Sequence, residues 1–285
     1  MERRSHVSVV LCTCNGEKFI EEQMQSLVSQ SILPDEIVVC DDCSDDRTFE
    51  IENIFAQKYF TIHWIVKCNT ERLGVRKNFE QAILLASGDY IATCDQDDVW
   101  EKDKLKNLLA LISSDSSVLL VHSDASLIDS NGNLFSESVF KVYGLKKQLS
   151  LKEYILYANN VIGCTMLFRA SLRKYLYPFP EKHYFHDNWI AIVAKTYGKI
   201  SFCESPLIKY RQHDSNLSAT ECGNYGMDYF IDRAKGVCFI MCQYGKLRYS
   251  YGIFFLLLKE FLFCICGVSW FKHHLKVVWL KKAIR

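Results

Sequence analysis

The sequence predicts an α/β fold: a mostly parallel central sheet flanked by helices, with a helical extension at the C-terminal end. Three observations predict it. Short apolar, β-branched runs alternate with segments whose apolar residues recur at i, i+3, i+4 and i+7. Several of these runs end abruptly in acids, as strands do where an open sheet presents its ligand-binding edge. Apolar residues fill 49% of 285 positions, ample for a packed core and against disorder.

Val7 to Cys12 is the first buried strand, and Phe19, Ile20, Met24, Leu27 and Val28 follow at helical spacing. Glu36 to Cys40 is a second strand, closed by the polar turn Asp41-Asp42-Cys43-Ser44-Asp45-Asp46. Arg47 to about Gln57 reads as a helix with acids at its start, where the helix dipole favours them. A third strand is expected over Ile62 to Val66. Phe79, Ala82, Ile83 and Ala86 mark a helix that Gly88 is placed to end. Tyr90 to Cys94 is the next strand, Leu105, Leu108, Leu109 and Ile112 the next helix, and Val118 to His122 a further strand.

After Ser123 the rhythm changes. Asn131-Gly132 signals a hairpin, Ser150-Leu151-Lys152-Glu153 a capping box, and Gly163 to Phe168 a strand. Trp189 to Tyr197 reads as a helix ended by Gly198, and Leu207 to Tyr210 as a last strand. The organisation expected is one domain over 1–215, with halves 1–122 and 123–215, and an extension over 216–285.

Within that extension, Tyr251 to Phe271 is the most apolar stretch, interrupted by Lys259-Glu260. Neither half reaches the ~20 residues of a spanning helix. Lys272, Lys276, Lys281, Lys282 and Arg285 follow. Two arrangements fit equally, an apolar and basic surface lying on an anionic membrane or a helical subdomain packed on the core, with a spanning segment the less favoured third. The formal charge of +1 leaves no nucleic-acid footprint. No secretory leader is expected from Met1-Glu2-Arg3-Arg4, and 13 cysteines scattered through apolar segments suit reduced thiols. The expected location is the cytoplasm, at the inner face of the cell membrane if the tail binds lipid. Cys40 and Cys43 have the CxxC spacing, but no second pair stands at the spacing a zinc site needs.

Three carboxylates, Asp95, Asp97 and Asp98, crowd the end of the Tyr90–Cys94 strand. Like charges at such spacing need a cation or donors to offset them, and Mg²⁺ or Mn²⁺ shared with a diphosphate would do so. The plainer reading is an acidic turn before a helix. The first turn, Thr13-Cys14-Asn15-Gly16-Glu17, holds one glycine and no Walker lysine, which argues against dinucleotide and P-loop folds. If the strands are parallel, Asp41 and Asp42 share an edge with Asp95 and Asp97, where a carboxylate can accept from a base N–H or a ribose hydroxyl.

Taken in combination, Thr13 to Glu17, Asp41 to Thr48, Gly74 to Phe79 and Asp95 to Asp98 resemble the inverting glycosyltransferases of family 2. The resemblance covers about the first 215 residues and implies a GT-A fold. It implies that Asp41 and Asp42 read base and ribose, and that Thr13, Asn15, Glu17, Asn78, Asp95, Gln96 and Arg211 complete the nucleotide-sugar site. Asp97 and His213 would hold the metal. Asp187 would be the catalytic base, with Asp124 the next candidate, and His186 and Trp189 would meet the acceptor. Cys14 stands where the family often has Tyr, which removes any ring stacking on the base from that position. Asp-Gln-Asp-Asp-x-Trp, His-Asp-x-Trp and Tyr-Arg-x-His together are most similar to a rhamnosyltransferase-like subgroup of surface-polysaccharide (O-antigen or capsule) synthesis. A UDP- or dTDP-sugar donor and a glycan or lipid-linked acceptor are implied. A nucleotidyltransferase is the rival enzyme, but it would need a Gly/Lys-rich triphosphate loop that Thr13–Glu17 lacks. An inactive sugar-binding module would have no reason to carry the acids at 41, 42, 95, 97 and 187.

Overall fold

Every residue of Val7–Thr13 (β1) is buried, because this strand is sandwiched between Glu36–Asp41 (β2) and Tyr90–Cys94 (β4) and covered on both faces. The structure, a computed structural model, describes residues 5–156, 159–180 and 184–214. Its sheet runs β3-β2-β1-β4-β8-β6-β9-β5, with β7 attached to β6. The remaining strands are His63–Cys68 (β3), Val99–Trp100 (β5), Val118–Ile128 (β6), Leu134–Ser136 (β7), Met166–Arg169 (β8) and Lys199–Arg211 (β9).

The strands β3, β2, β1 and β4 are all parallel. Thr13 is level with Asp41, and Leu11 with Cys94. That register brings the turns after β1, β2 and β4 to one edge, as the alternation of strand and helix predicts. Beyond β4 the sheet is mixed: β8 is antiparallel to β4 and β6, β9 is parallel to β6, and β5 is antiparallel to β9.

Helices cover both faces: Ile20–Val28 (α1), Thr48–Lys58 (α2), Val75–Leu85 (α3), Lys104–Ser113 (α4), Val139–Tyr143 (α5), Leu151–Leu156 (α6), Arg173–Leu176 (α7) and His186–Tyr197 (α8). The two-residue period of β1 divides the core. Val10 and Cys12 join α3 and α8 on one face, while Val9 and Leu11 join α1 and α4 on the other. Each such side chain contributes roughly 1.5–3 kcal/mol when fully buried.

Apart from the short strand β5, which the sequence does not announce, the differences from expectation lie in the second half. β6 continues to Ile128, six residues past His122, because Ser123, Asp124 and Ser126 are buried alongside the apolar positions. β9 begins at Lys199, and Pro206 sits opposite Asp124 at a register shift, where a missing N–H breaks no regular ladder. Gly163–Thr165 is a 3₁₀ turn, so β8 starts only at Met166. The capping box is present: the Ser150 N–H donates to Glu153 Oε2 at 2.8 Å, and the Glu153 N–H donates to Ser150 Oγ at 3.3 Å. Gly132, at φ +84, lies in the turn joining β6 to β7. Among the described residues no helix is long and apolar enough to cross a membrane. The expected apolar segment 251–271 lies outside them.

Candidate active site

The turn after β1 is woven into the turn after β2. Asn15 adopts a left-handed backbone (φ 49), which Asn tolerates better than most residues. Its N–H donates to Ser44 Oγ at 2.8 Å and its Oδ1 accepts the Asp45 N–H at 3.0 Å. Glu17 accepts the Arg47 N–H at 2.9 Å, and its own N–H donates to Asp46 at 3.1 Å. Gln96 bridges to the same turn from the end of β4, accepting the Cys14 N–H at 2.8 Å and donating to the Cys14 carbonyl at 3.1 Å. A Cβ on Gly16 would lie 2.5 Å from Gln96 Oε1, so only glycine fits beneath that bridge. Asn15, Glu17 and Gln96 therefore set the shape of this edge by holding its loops together.

The two acids that close β2 are buried and hydrogen-bonded. Asp41 accepts the Ser44 N–H at 2.8 Å, the Ser44 hydroxyl, the Thr13 hydroxyl at 3.2 Å and the Cys68 thiol at 3.3 Å. Asp42 accepts Asn69 Nδ2 at 3.0 Å and the N–H groups of Leu73 and Gly74 at 2.7 and 2.8 Å. This binds it first to the segment that begins α3. Asn78 corrects the sequence-based expectation. Its Nδ2 donates to the Cys40 carbonyl at 2.7 Å and its Oδ1 accepts from Asn69 at 3.0 Å, so its buried amide faces the protein and not a donor sugar.

The acids after β4 are in the opposite condition. Asp98 is buried, with Oδ1 accepting the Arg211 N–H at 2.9 Å and Oδ2 lacking a hydrogen-bond partner among the described residues. Its carboxyl is pushed well above the usual range by burial, then by Asp97 and Asp95. Burial raises Asp95 to about 7, with Asp97 and Asp187 adding to the rise. Asp97 Oδ2 lies 2.9 Å from His213 Nε2, so the strand-end acid and the histidine after β9 meet although 116 residues separate them. Asp95, Asp98 and Cys164 also offer ligand atoms within 4.8 Å of one another. Crowded, donor-poor carboxylates beside an imidazole and a thiol fit a divalent cation.

Two residues here escaped the sequence reading. Lys104, one residue before the apolar pattern starting at Leu105, is wholly buried, with Nζ 3.3 Å from the Trp100 ring centroid and donating to the Cys164 carbonyl. Burial pulls its ammonium down to about 8. Cys164 reaches the cluster only because the 3₁₀ turn before β8 packs under β4. No local signal distinguishes either residue from a solvated lysine and a core thiol.

Arg211 is a second correction. Its guanidinium is 2% exposed and held by Glu22 Oε2 at 2.6 Å, the Asp97 carbonyl at 2.7 Å and the Asp129 carbonyl at 3.4 Å, over the Phe19 ring. It is a strut between β9 and the acidic turn, with its guanidinium packed against the protein.

On the far side of the cluster, Asp187 lies in the first turn of α8, half-buried, with Oδ1 accepting the Asn188 N–H at 2.6 Å. Burial lifts its carboxyl to about 6. It is close enough to Asp95 to raise that acid too. Its neighbours do not face an acceptor, contrary to expectation. Trp189 is 0% exposed and donates from Nε1 to the Leu176 carbonyl at 2.8 Å, which makes it core. His186 is buried and stacked on Phe79 with centroids 3.8 Å apart, and burial holds it neutral by lowering it to about 3. Asp124 is occupied elsewhere: it accepts the Ser138 hydroxyl and the Phe140 N–H where α5 begins.

A family model described as glycosyl transferase family 2 matches residues 8–176, well over half of the sequence. The chain belongs to that family. The match takes in β1, both Asp-rich turns and β8, the frame built above. The enzyme is thus a glycosyltransferase of GT-A fold. Among its relatives, a dTDP-rhamnosyl transferase, RfbG of Shigella flexneri, is 29% identical over 217 residues, 72% of each chain. The teichuronic acid biosynthesis glycosyltransferase TuaG of Bacillus subtilis, itself named as putative, is 25% identical over 229 residues, 80% of this chain and 87% of that one. Of solved structures, S. aureus TarS residues 1–349 in complex with UDP-GlcNAc superposes with a TM-score of 0.66 at 23% identity. The superposition covers 90% of this chain and 71% of that one. At that identity the likeness speaks to fold alone.

Proposed function

We propose that this glycosyltransferase moves a sugar from UDP or dTDP to a hydroxyl of a glycan or lipid-linked glycan, with inversion, in the assembly of a surface polysaccharide such as O-antigen or capsule. One observation carries the reading: a half-buried carboxyl, Asp187, itself raised by burial, acts electrostatically on Asp95 in the cluster of under-compensated acids at the end of β4. The relatives named for rhamnosyl transfer and teichuronic acid synthesis support the substrate class.

In this reading the loops laced by Asn15, Glu17 and Gln96 shape the donor pocket, Asp41 accepts from the base, and Asp42 steadies the segment leading to α3. Asp97 and His213 would hold Mg²⁺ or Mn²⁺, with Asp95 and Asp98 adjoining; the ion would supply compensation for the diphosphate's negative charge. Asp187 takes the proton of the acceptor hydroxyl while that oxygen attacks the anomeric carbon, and the bond to the diphosphate oxygen breaks on the opposite face. Burial matches Asp187 to the task, since a carboxyl lifted to about 6 is a stronger base than an ordinary aspartate and is still ionised at pH 7. The acceptor's lipid carrier would bring the enzyme to the inner face of the cell membrane, with 216–285 as the attaching segment. The test is product analysis with UDP- and dTDP-sugars and lipid-linked acceptors. Transfer by wild type but not by Asp187→Asn, with an inverted anomeric centre, supports the reading; a retained configuration overturns it.

A further inference from the structure

Glu52, on α2 beneath the β1–β2 edge, is 0% exposed. Its Oε1 lies 2.7 Å from the Thr13 hydroxyl, and its Oε2 has no hydrogen-bond partner among the described residues. The same Thr13 hydroxyl lies 3.2 Å from Asp41 Oδ2. One hydroxyl, with one proton, stands between two carboxyl groups. If both were ionised, one of the two contacts would set acceptor against acceptor, at a buried site where that costs most.

Among the described residues no cation acts on Glu52. The charges acting on Glu52 are those of Asp41 on β2 and Asp46 in the turn before α2, and both are acids. Cys40, also on β2 and coupled to Glu52, is a thiol held neutral, pushed up to about 11 chiefly by burial. Asp41 is the acceptor of the pair, since it also accepts from the Ser44 N–H, the Ser44 hydroxyl and the Cys68 thiol, whereas Glu52 Oε2 has no partner among the described residues. The arrangement that gives every contact a proton is therefore directional: Glu52 donates to Thr13, and Thr13 donates to Asp41.

The geometry points to Glu52 as a positioning residue, a buried neutral carboxylic acid that orients the Thr13 hydroxyl onto Asp41 and so makes nucleoside diphosphate binding depend on its proton. This rests on Asp41 meeting the nucleobase, as proposed above. Burial pushes Glu52 up to about 8 against the Thr13 hydrogen bond, with Asp41 and Asp46 adding to the rise. Below that pH the proton is present and Asp41 is held. Above it the Thr13 hydroxyl turns to the new carboxylate, and Asp41 loses a donor while gaining a like charge nearby.

The experiment is calorimetric titration of the full chain with UDP and, separately, dTDP, at about pH 6.5 and about pH 9, on either side of the ionisation. For wild type, Kd rises about tenfold between the two, the worth of roughly one hydrogen bond to a charged group. Glu52→Gln keeps a donor that cannot ionise. It matches wild type at the lower pH and loses the part of the alkaline weakening that Glu52 causes; whatever pH dependence it retains belongs to the nucleotide's own groups and to Asp95 and Lys104, which the substitution leaves in place. Glu52→Met, which needs no partner and fits a similar volume, is independent of pH in the same sense but binds about tenfold more weakly at both values. Wild-type affinity that does not change with pH, a Glu52→Gln protein that weakens as wild type does, or a Glu52→Met protein that binds as well as wild type would each overturn the inference. If wild type takes neither UDP nor dTDP at either pH, the proposed donor fails, and the inference falls with it. Binding without the pH dependence removes the inference alone.

Discussion

The ends of β2 and β4 lie on one edge of one sheet, yet they treat their acids in opposite ways. Asp41 and Asp42 are buried, and each accepts several hydrogen bonds from neighbouring turns. Asp95 and Asp98 are short of donors, and burial and mutual repulsion push both upward. The first pair is organised by the protein alone; the second is held under electrostatic tension that a cation or a proton would relieve. The difference is between acids whose charge the neighbouring turns already meet and acids whose charge the described residues leave under-compensated. Asp187 belongs with the second, since it is coupled to Asp95 and itself raised.

The sharpest way to break this comparison is at Asp187. Asp187→Asn should lower kcat by roughly 10²–10⁴ with donor Kd nearly unchanged, measured as transfer rate beside calorimetry. A base must be unprotonated to act, so wild-type kcat should fall as pH drops through about 6, the level to which burial lifts this carboxyl. That acidic limb should be missing in the variant. An Asp187→Asn protein of wild-type rate would leave only a helix-start role, which Asn fills about as well.

Next in size is the cluster itself. Chelation should abolish transfer and added Mn²⁺ or Mg²⁺ restore it, and Asp97→Asn should cost several kcal/mol of barrier, on the order of 10³-fold in rate. Full turnover in chelator would mean that Lys104 and protons alone offset these acids.

Arg211→Leu tests whether the two edges are tied by structure or by ligand. As a buried strut its loss leaves the Asp97 carbonyl without its donor and frees the largely exposed Glu22 to water, and should cost about 1–3 kcal/mol in urea unfolding. A protein of unchanged stability but weaker donor binding would return Arg211 to the phosphates.

The smallest effect is expected at Trp189→Phe. It removes the hydrogen bond to the Leu176 carbonyl and some packing, about 1–2 kcal/mol of stability, while acceptor KM stays the same. A raised KM with unchanged stability would place the ring against a sugar after all.

What could be read from the sequence follows one physical line. Strands β1, β2 and β4 announce themselves because complete burial demands unbroken apolar runs. β6 outruns its apolar pattern because Ser123, Asp124 and Ser126 are polar residues buried by partners distant in sequence, and β9 starts before its apolar run because Lys199 to Cys203 pair with β6 while staying half-exposed or exposed. Asp-Gln-Asp-Asp stood out because three acids at a strand end are costly wherever the chain folds. Asn78, Arg211 and Trp189 read as equally functional in one dimension, and only the fold shows that all three are buried and hydrogen-bonded to the protein.

The sequence by itself determined the α/β architecture, the family and the chemical types gathered at the sheet edge, because periodicity and local charge density are properties of short segments. Only the tertiary structure decided which of those groups have partners. The register of β1 on β2 sets Thr13 between Asp41 and Glu52, the return of β9 brings His213 to Asp97, the turn before β8 brings Cys164 to the acids, and the start of α4 brings Lys104 to Cys164. Hydrogen bonding and burial govern whether a carboxyl is a strut, a base or an ion's ligand, and both depend on residues that lie far apart along the chain.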